Sequence, residues 1–98
     1  MPEPIKRSEV RIDVSDVRTS EALHELLADT LSFPDYYGRN WDAFWDCITD
    51  PEQSQMPMLL RVKGWATLNQ RLPREARLFR ECLDELSRVR PECHVELA

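Results

Sequence analysis

Phe33-Pro34-Asp35-Tyr36-Tyr37-Gly38-Arg39-Asn40-Trp41-Asp42-Ala43-Phe44-Trp45-Asp46-Cys47-Ile48-Thr49-Asp50 gathers four aspartates, two tyrosines and two tryptophans into one turn and one short helix. Tyr37-Gly38 supplies the turn, with the glycine expected at positive φ. Asn40 is the expected cap, Trp41 the first helical residue, and Pro51 the stop. At about 100° per residue, Trp41, Phe44, Cys47 and Ile48 fall on one side of this helix. Asp42, Asp46, Thr49 and Asp50 fall on the other, and Trp45 lies on the border. A carboxylate stripe edged by a large aromatic suits a cationic partner.

The acidic stripe has a structural explanation only in part. Asp42 lies in the first turn, where the helix dipole favours a carboxylate. Asp46 sits four residues later on the same face, where like charges repel by about 0.2–0.5 kcal/mol. Asp46 and Asp50 also lie toward the C-terminal end, each costing about 0.3–1 kcal/mol if exposed. No lysine or arginine within the helix offsets them. Sequence chosen for stability alone would not cluster carboxylates there, whereas a surface that receives a cation tolerates the cost. Trp45, Tyr36 and Tyr37 beside the stripe point the same way, since aromatics are enriched at interface hot spots.

Outward from this segment, Val10, Ile12 and Val14 alternate with Arg11 and Asp13, which predicts a strand over Glu9–Val14 with one wet face. Thr19 or Ser20 caps a helix running to Thr30 or Leu31, with Ala22, Leu23, Leu26, Leu27 and Leu31 as its apolar stripe. His24 lies among those core positions, and packing is its expected role. Pro34 closes that region. Asp50 to Gln55 reads as a polar loop, and Pro57–Val62 as a buried strand bounded by Gly64. Trp65–Leu72 is ambiguous, compatible with a short helical turn. From Pro73 or Arg74 to Val89, the positions Leu78, Phe79, Cys82, Leu83, Leu86 and Val89 form a helical face that Pro91 stops. His94–Leu97 is a last strand. Strands separated by helices predict an α/β fold: a small parallel sheet with helices packed against it.

The 98 residues are expected to form a single domain with one modest core, residues 1–8 being a loose lead-in. The formal net charge of −5 argues against nucleic acid or an anionic membrane as the main partner. Eleven of the thirteen cations are arginine, many between Arg71 and Arg90, where a solvated helix laced with ion pairs explains them. The first twenty residues hold no apolar run that would make a signal peptide, and nothing later is long enough to span a membrane. Cys47, Cys82 and Cys93 are odd in number and lack CxxC spacing, which suggests reduced thiols and a cytoplasmic setting. Cys93-His94 with Cys47 matches no common metal site. Neither a metal nor a cofactor is expected.

Pro34-Asp35-Tyr36-Tyr37-Gly38-Arg39-Asn40-Trp41-Asp42-Ala43-Phe44-Trp45-Asp46-Cys47-Ile48-Thr49 closely resembles the barstar family, intracellular inhibitors of the ribonuclease barnase. Barstar reads Pro-Glu-Tyr-Tyr-Gly-Glu-Asn-Leu-Asp-Ala-Leu-Trp-Asp-Cys-Leu-Thr over this stretch, so eleven of the sixteen positions coincide. Leu23-His24 lies at the family's spacing before Pro34, and Phe79-Arg80-Glu81 matches a Phe-Arg-Glu in its last long helix. The resemblance implies a three-stranded parallel sheet and a non-enzymatic partner-binding surface that plugs a ribonuclease active site. Carried over by position, Asp46 becomes the central anion that reaches the arginine and histidine side chains holding RNA phosphate. Asp42 meets basic residues beside it, and Tyr36 lies over the catalytic histidine. Gly38, Asn40, Trp45 and Thr49 complete the surface, and Glu81 adds an acidic contact from the neighbouring helix. From periodicity alone Glu81 is merely an exposed helical charge.

Some positions depart from barstar. Asp50 replaces a glycine, Arg39 replaces a glutamate, and the aromatic after that glycine is absent. Two extra residues lie between Cys47 and the proline before the second strand, and the last long helix is extended. Barnase itself is therefore not the expected target; a divergent basic ribonuclease, bound one-to-one, is. The alternative is a barstar-fold interaction module for a basic non-nuclease partner. A small acid/base enzyme built on Asp42 and Asp46 is the third reading. It is opposed by the lack of a nucleophile elbow, a phosphate loop or a histidine near the pair.

Overall fold

The computed structural model describes residues 9–50 and 56–98. The lead-in over residues 1–8 and most of the polar loop expected before the second strand lie outside them. The elements run β1 (Glu9–Asp13), α1 (Ser20–Leu31), α2 (Trp41–Thr49), β2 (Leu59–Lys63), α3 (Trp65–Arg71), α4 (Pro73–Val89) and β3 (His94–Leu97). The three strands lie side by side in the order β1-β2-β3, both pairs parallel. Val10 pairs with Leu60, which in turn pairs with Val95. Each crossover between strands therefore carries two helices.

Alternation along the strands decides which face of the sheet the helices cover. Val10, Ile12, Leu60 and Val62 are buried and Val95 and Leu97 are half-buried, whereas Glu9, Arg11, Asp13, Lys63, His94 and Glu96 face water. Parallel sheets are ordinarily covered on both faces; this one is wet on one. Charges are paired there, Arg11 with Glu9 at 2.6 Å and Arg61 with Glu96 at 2.9 Å.

The dry face meets Leu23, Leu27 and Leu31 of α1, Phe44 and Ile48 of α2, Leu68 of α3, and Ala76, Phe79, Leu83 and Leu86 of α4. Phe79 sits among three other aromatic rings. Trp41 stacks on it at 5.5 Å, Phe44 meets it edge-on at 5.6 Å, and Trp65 lies tilted at 5.6 Å. Such ring pairs add about 0.5–1.5 kcal/mol each beyond the area they bury. Through Phe79, α4 holds the first turn of α2 and the start of α3 together.

The caps follow the sequence closely. The Thr19 side chain accepts from Ala22 N at 3.0 Å at the start of α1. That helix stops at Ser32, which adopts the left-handed conformation and returns its N–H to Ala28 O. The segment left ambiguous forms a true helix, α3, and Leu72 both closes it and opens α4, with Pro73 in the first turn. Val89 departs from expectation: it is 57% exposed rather than part of the buried face of α4. The core ends at Leu86, one turn earlier, so periodicity alone overruns it.

Gly64 joins β2 to α3 at φ 78°, and a Cβ there would stand 2.7 Å from both the N and the Cβ of Ser15. Neither the left-handed backbone nor the Ser15 main chain can yield cheaply. Gly64→Ala is expected to lower the unfolding free energy by about 2 kcal/mol or more. A urea titration checks this, and an unchanged midpoint would refute the clash.

Candidate functional site

The turn before α2 is pinned from beneath. Phe33 and Tyr37 turn inward and their rings meet at 4.9 Å, while Tyr36, between Pro34 and that anchor, is 77% exposed. The Tyr37 N–H donates to Pro34 O at 3.0 Å. Its hydroxyl shares a 2.5 Å hydrogen bond with Nδ1 of His24, which is only 1% exposed. Burial pushes the Tyr37 phenol far above its ordinary range. His24 is the core histidine expected, and it also does more: it ties α1 to the turn, and its ring lies 4.5 Å from that of Trp41.

Gly38 does not take positive φ. Arg39 does, at 53°. The reason for glycine at 38 is space: a Cβ there would stand 3.1 Å from Asn40 Nδ2 and 3.4 Å from Ala43 Cβ. Asn40 needs that room. Its Oδ1 accepts from Ala43 N at 2.7 Å, and its Nδ2 donates to Gly38 O at 3.2 Å. Both polar atoms of Asn40 thus build the start of α2.

From there the helix sorts its side chains as the periodicity requires. Phe44 and Ile48 are buried, Trp41, Trp45 and Cys47 are half-buried, and Asp42 and Asp46 are exposed. Among the described residues neither of these two aspartates takes part in an ion pair. The Trp41 indole donates to Glu75 Oε2 at 2.6 Å, locking α2 to the start of α4. Thr49 Oγ1 donates back to Trp45 O at 2.6 Å. At the C-terminal end, Arg90 Nη2 donates to Thr49 O at 3.1 Å, placing a cation where the dipole is negative. Thus the compensation that α2 lacks in its own sequence arrives from the end of α4.

Six of the eight expected contact residues line three depressions beside α2. Tyr36 and Asp46 line the first with Phe33, Pro34, Cys47 and Asp50. Asp42, Trp45 and Glu81 line the second, between α2 and α4, with Leu78 and Cys82 among its walls. Trp45 and Thr49 line the third with Val89 and Arg90. The thiols register the same convergence of charge. Burial, then Asp46 and Asp50, raise Cys47; burial, then Glu81 and Asp42, push Cys82 up to about 11. Glu81 and Asp42 thus line one groove, from α4 and α2 respectively. Gly38 and Asn40 lie at the N-terminal edge and shape the turn. Glu75 and Arg90 support this surface without having been singled out for it. Their partners are 34 and 41 residues away, and no local pattern encodes such pairs.

The sequence profile of the family described as Barstar (barnase inhibitor) matches residues 7–97. A 58-residue stretch is 47% identical to the Bacillus subtilis (strain 168) protein named "Putative ribonuclease inhibitor YrdF". That match covers 59% of this chain and 62% of the relative, so it spans less than two thirds of that protein. The chain belongs to the barstar family. Among the described residues no helix is long and apolar enough to cross a membrane.

Burial lowers the pKa of His24 from its ordinary 6.5, with Glu75 opposing weakly. The folded state therefore binds fewer protons here than the unfolded chain. Stability is full above about 6.5 and declines as pH falls through that value toward the lowered one. Urea midpoints should drop between pH 7.5 and 5.5 in the native chain, and this slope should flatten in His24→Gln. An equal slope in both proteins would clear His24 of the effect.

Proposed function

We propose that this chain, as a member of the barstar family, inhibits a basic ribonuclease by seating α2 and the turn before it over the active site. The observation that carries this reading is the pair Asp42 and Asp46. Both are exposed on a helix anchored at each end, and neither is committed to an internal cation. A ribonuclease must keep a positive cleft to hold RNA and to stabilise the charge that develops during cleavage. A carboxylate in the phosphate position uses that cleft and offers no bond to cleave.

In this reading Asp46 is the central anion and meets the arginine and histidine groups that bind phosphate. Asp42 engages cations beside it, and Glu81 adds a third charge across the α2–α4 groove. Tyr36 covers the catalytic histidine, and Trp45 supplies flat apolar area between Asp42 and Thr49. Gly38 and Asn40 let the target approach the helix start closely. Rigidity matters as much as charge. With the turn held by Tyr37 and the helix ends by Asn40 and Arg90, little freedom is lost on binding. Opposite fields speed encounter, which suits an antitoxin or immunity protein that must reach the nuclease before cellular RNA does. The complex is one-to-one and needs no cofactor.

The test is an RNA-cleavage assay on the nuclease captured from the native cell with immobilised chain. Activity should fall linearly to zero at one equivalent of inhibitor. Asp46→Ala should weaken inhibition by roughly two orders of magnitude or more, with an unchanged thermal melt. Full potency in that variant would remove Asp46 from its role. Raising ionic strength should slow association far more than it speeds dissociation; a salt-insensitive association rate would remove the steering argument.

A further inference from the structure

We infer that Arg39 determines which ribonuclease this chain accepts. It fits a target carrying an acidic or uncharged side chain opposite residue 39 and rejects one with lysine or arginine there. The inference rests on the inhibitory reading above and extends it to the chemistry of the partner.

Arg39 lies between Gly38 and Asn40, at the edge of the surface described, and its side chain is 53% exposed. The guanidinium reaches back toward α1, with Nη1 3.4 Å from Glu21 Oε1 and Nη2 3.4 Å from Glu25 Oε1. Those carboxylates are 70% and 51% exposed, and pairs so long and so wet hold the side chain only loosely. The guanidinium is therefore free to exchange an internal carboxylate for one on a partner.

The backbone offers no reason for arginine at this point. At φ 53° glycine or asparagine would sit with less strain. What the residue contributes is its charge, and that charge opposes its surroundings. Asp42, Asp46 and Glu81 all present anions to the same side, a pattern complementary to a uniformly basic cleft. Arg39 breaks that pattern at the turn, as Arg90 does at the opposite end of α2. Like charges brought together across an interface are strongly disfavoured, and such mismatches discriminate among related partners. A target suited to this chain must therefore change sign, or lose its charge, where its rim meets residue 39.

Barnase serves as the probe, because its inhibitor barstar has a glutamate at the corresponding position. Inhibition constants would be measured for the native chain, Arg39→Gln and Arg39→Glu at low and at physiological ionic strength. The Glu variant should inhibit barnase at least roughly tenfold more tightly than the native chain, with Gln between them. The gain should shrink as salt rises. Arg39→Gln places no new charge against Glu21 and Glu25, so its gain counts even if the Glu variant loses stability in parallel melts. Equal inhibition by all three, a gain indifferent to salt, or no inhibition by any of them overturns the inference. Asp46→Ala in the Arg39→Glu background separates the two levels. Lost inhibition there with a flat Arg39 series removes only the role of Arg39. Retained inhibition removes the underlying reading and this inference with it.

Discussion

The acidic helix depends on a buried contact that carries no charge: the hydrogen bond between the Tyr37 hydroxyl and His24. The turn over residues 34–40 has no strand to join and closes on a backbone bond from Tyr37 N to Pro34 O. Left to itself, such a segment would sample many conformations, each displacing the start of α2. Anchoring Tyr37 beneath the turn makes Tyr36 point outward and sets where Asn40 begins the helix. Because both partners are buried, losing either would strand a polar group away from water, which costs more than the bond itself contributes. The anchor is therefore effectively all or none.

Above that anchor, the fold separates the elements that give stability from those that carry charge. Phe79, Phe44, Trp41 and Trp65 supply the packing that fixes α2 against α4. Asn40 and Arg90 satisfy its two ends. With the helix secured by apolar area and capping, Asp42 and Asp46 can repel each other by a few tenths of a kcal/mol without unfolding it. A surface of like charges is tolerable only on a scaffold whose stability comes from elsewhere.

Much of this was legible along the chain because it is local. Period-two alternation located β1, the Thr19 and Asn40 caps located two helix starts, and period 3.6 divided α2 into a dry and a wet face. Where the reading failed, the deciding contact was distant or steric. Gly38 was expected to supply a left-handed turn residue, whereas the side chain of Asn40 needs the space and Arg39 takes the left-handed position. Val89 fits the stripe of α4 but lies beyond the core. The cation that offsets the C-terminal end of α2 comes from Arg90, 41 residues away. For the candidate site, the stripe of aspartates on α2 could be read directly. Its groove against α4, with Glu81 as the far wall, was expected only from the family resemblance and takes its shape from how the two helices pack.

Sulfur lies in the walls of two of the depressions beside α2. At pH 7 a thiol whose pKa is about 11, as at Cys82, is ionised in about one molecule in ten thousand. Alkylating reagents and peroxide attack the thiolate, so burial first, and the neighbouring carboxylates second, keep these cysteines chemically quiet. Packing α2 against α4 thus shields the sulfur in the walls of the surface as well as fixing its shape.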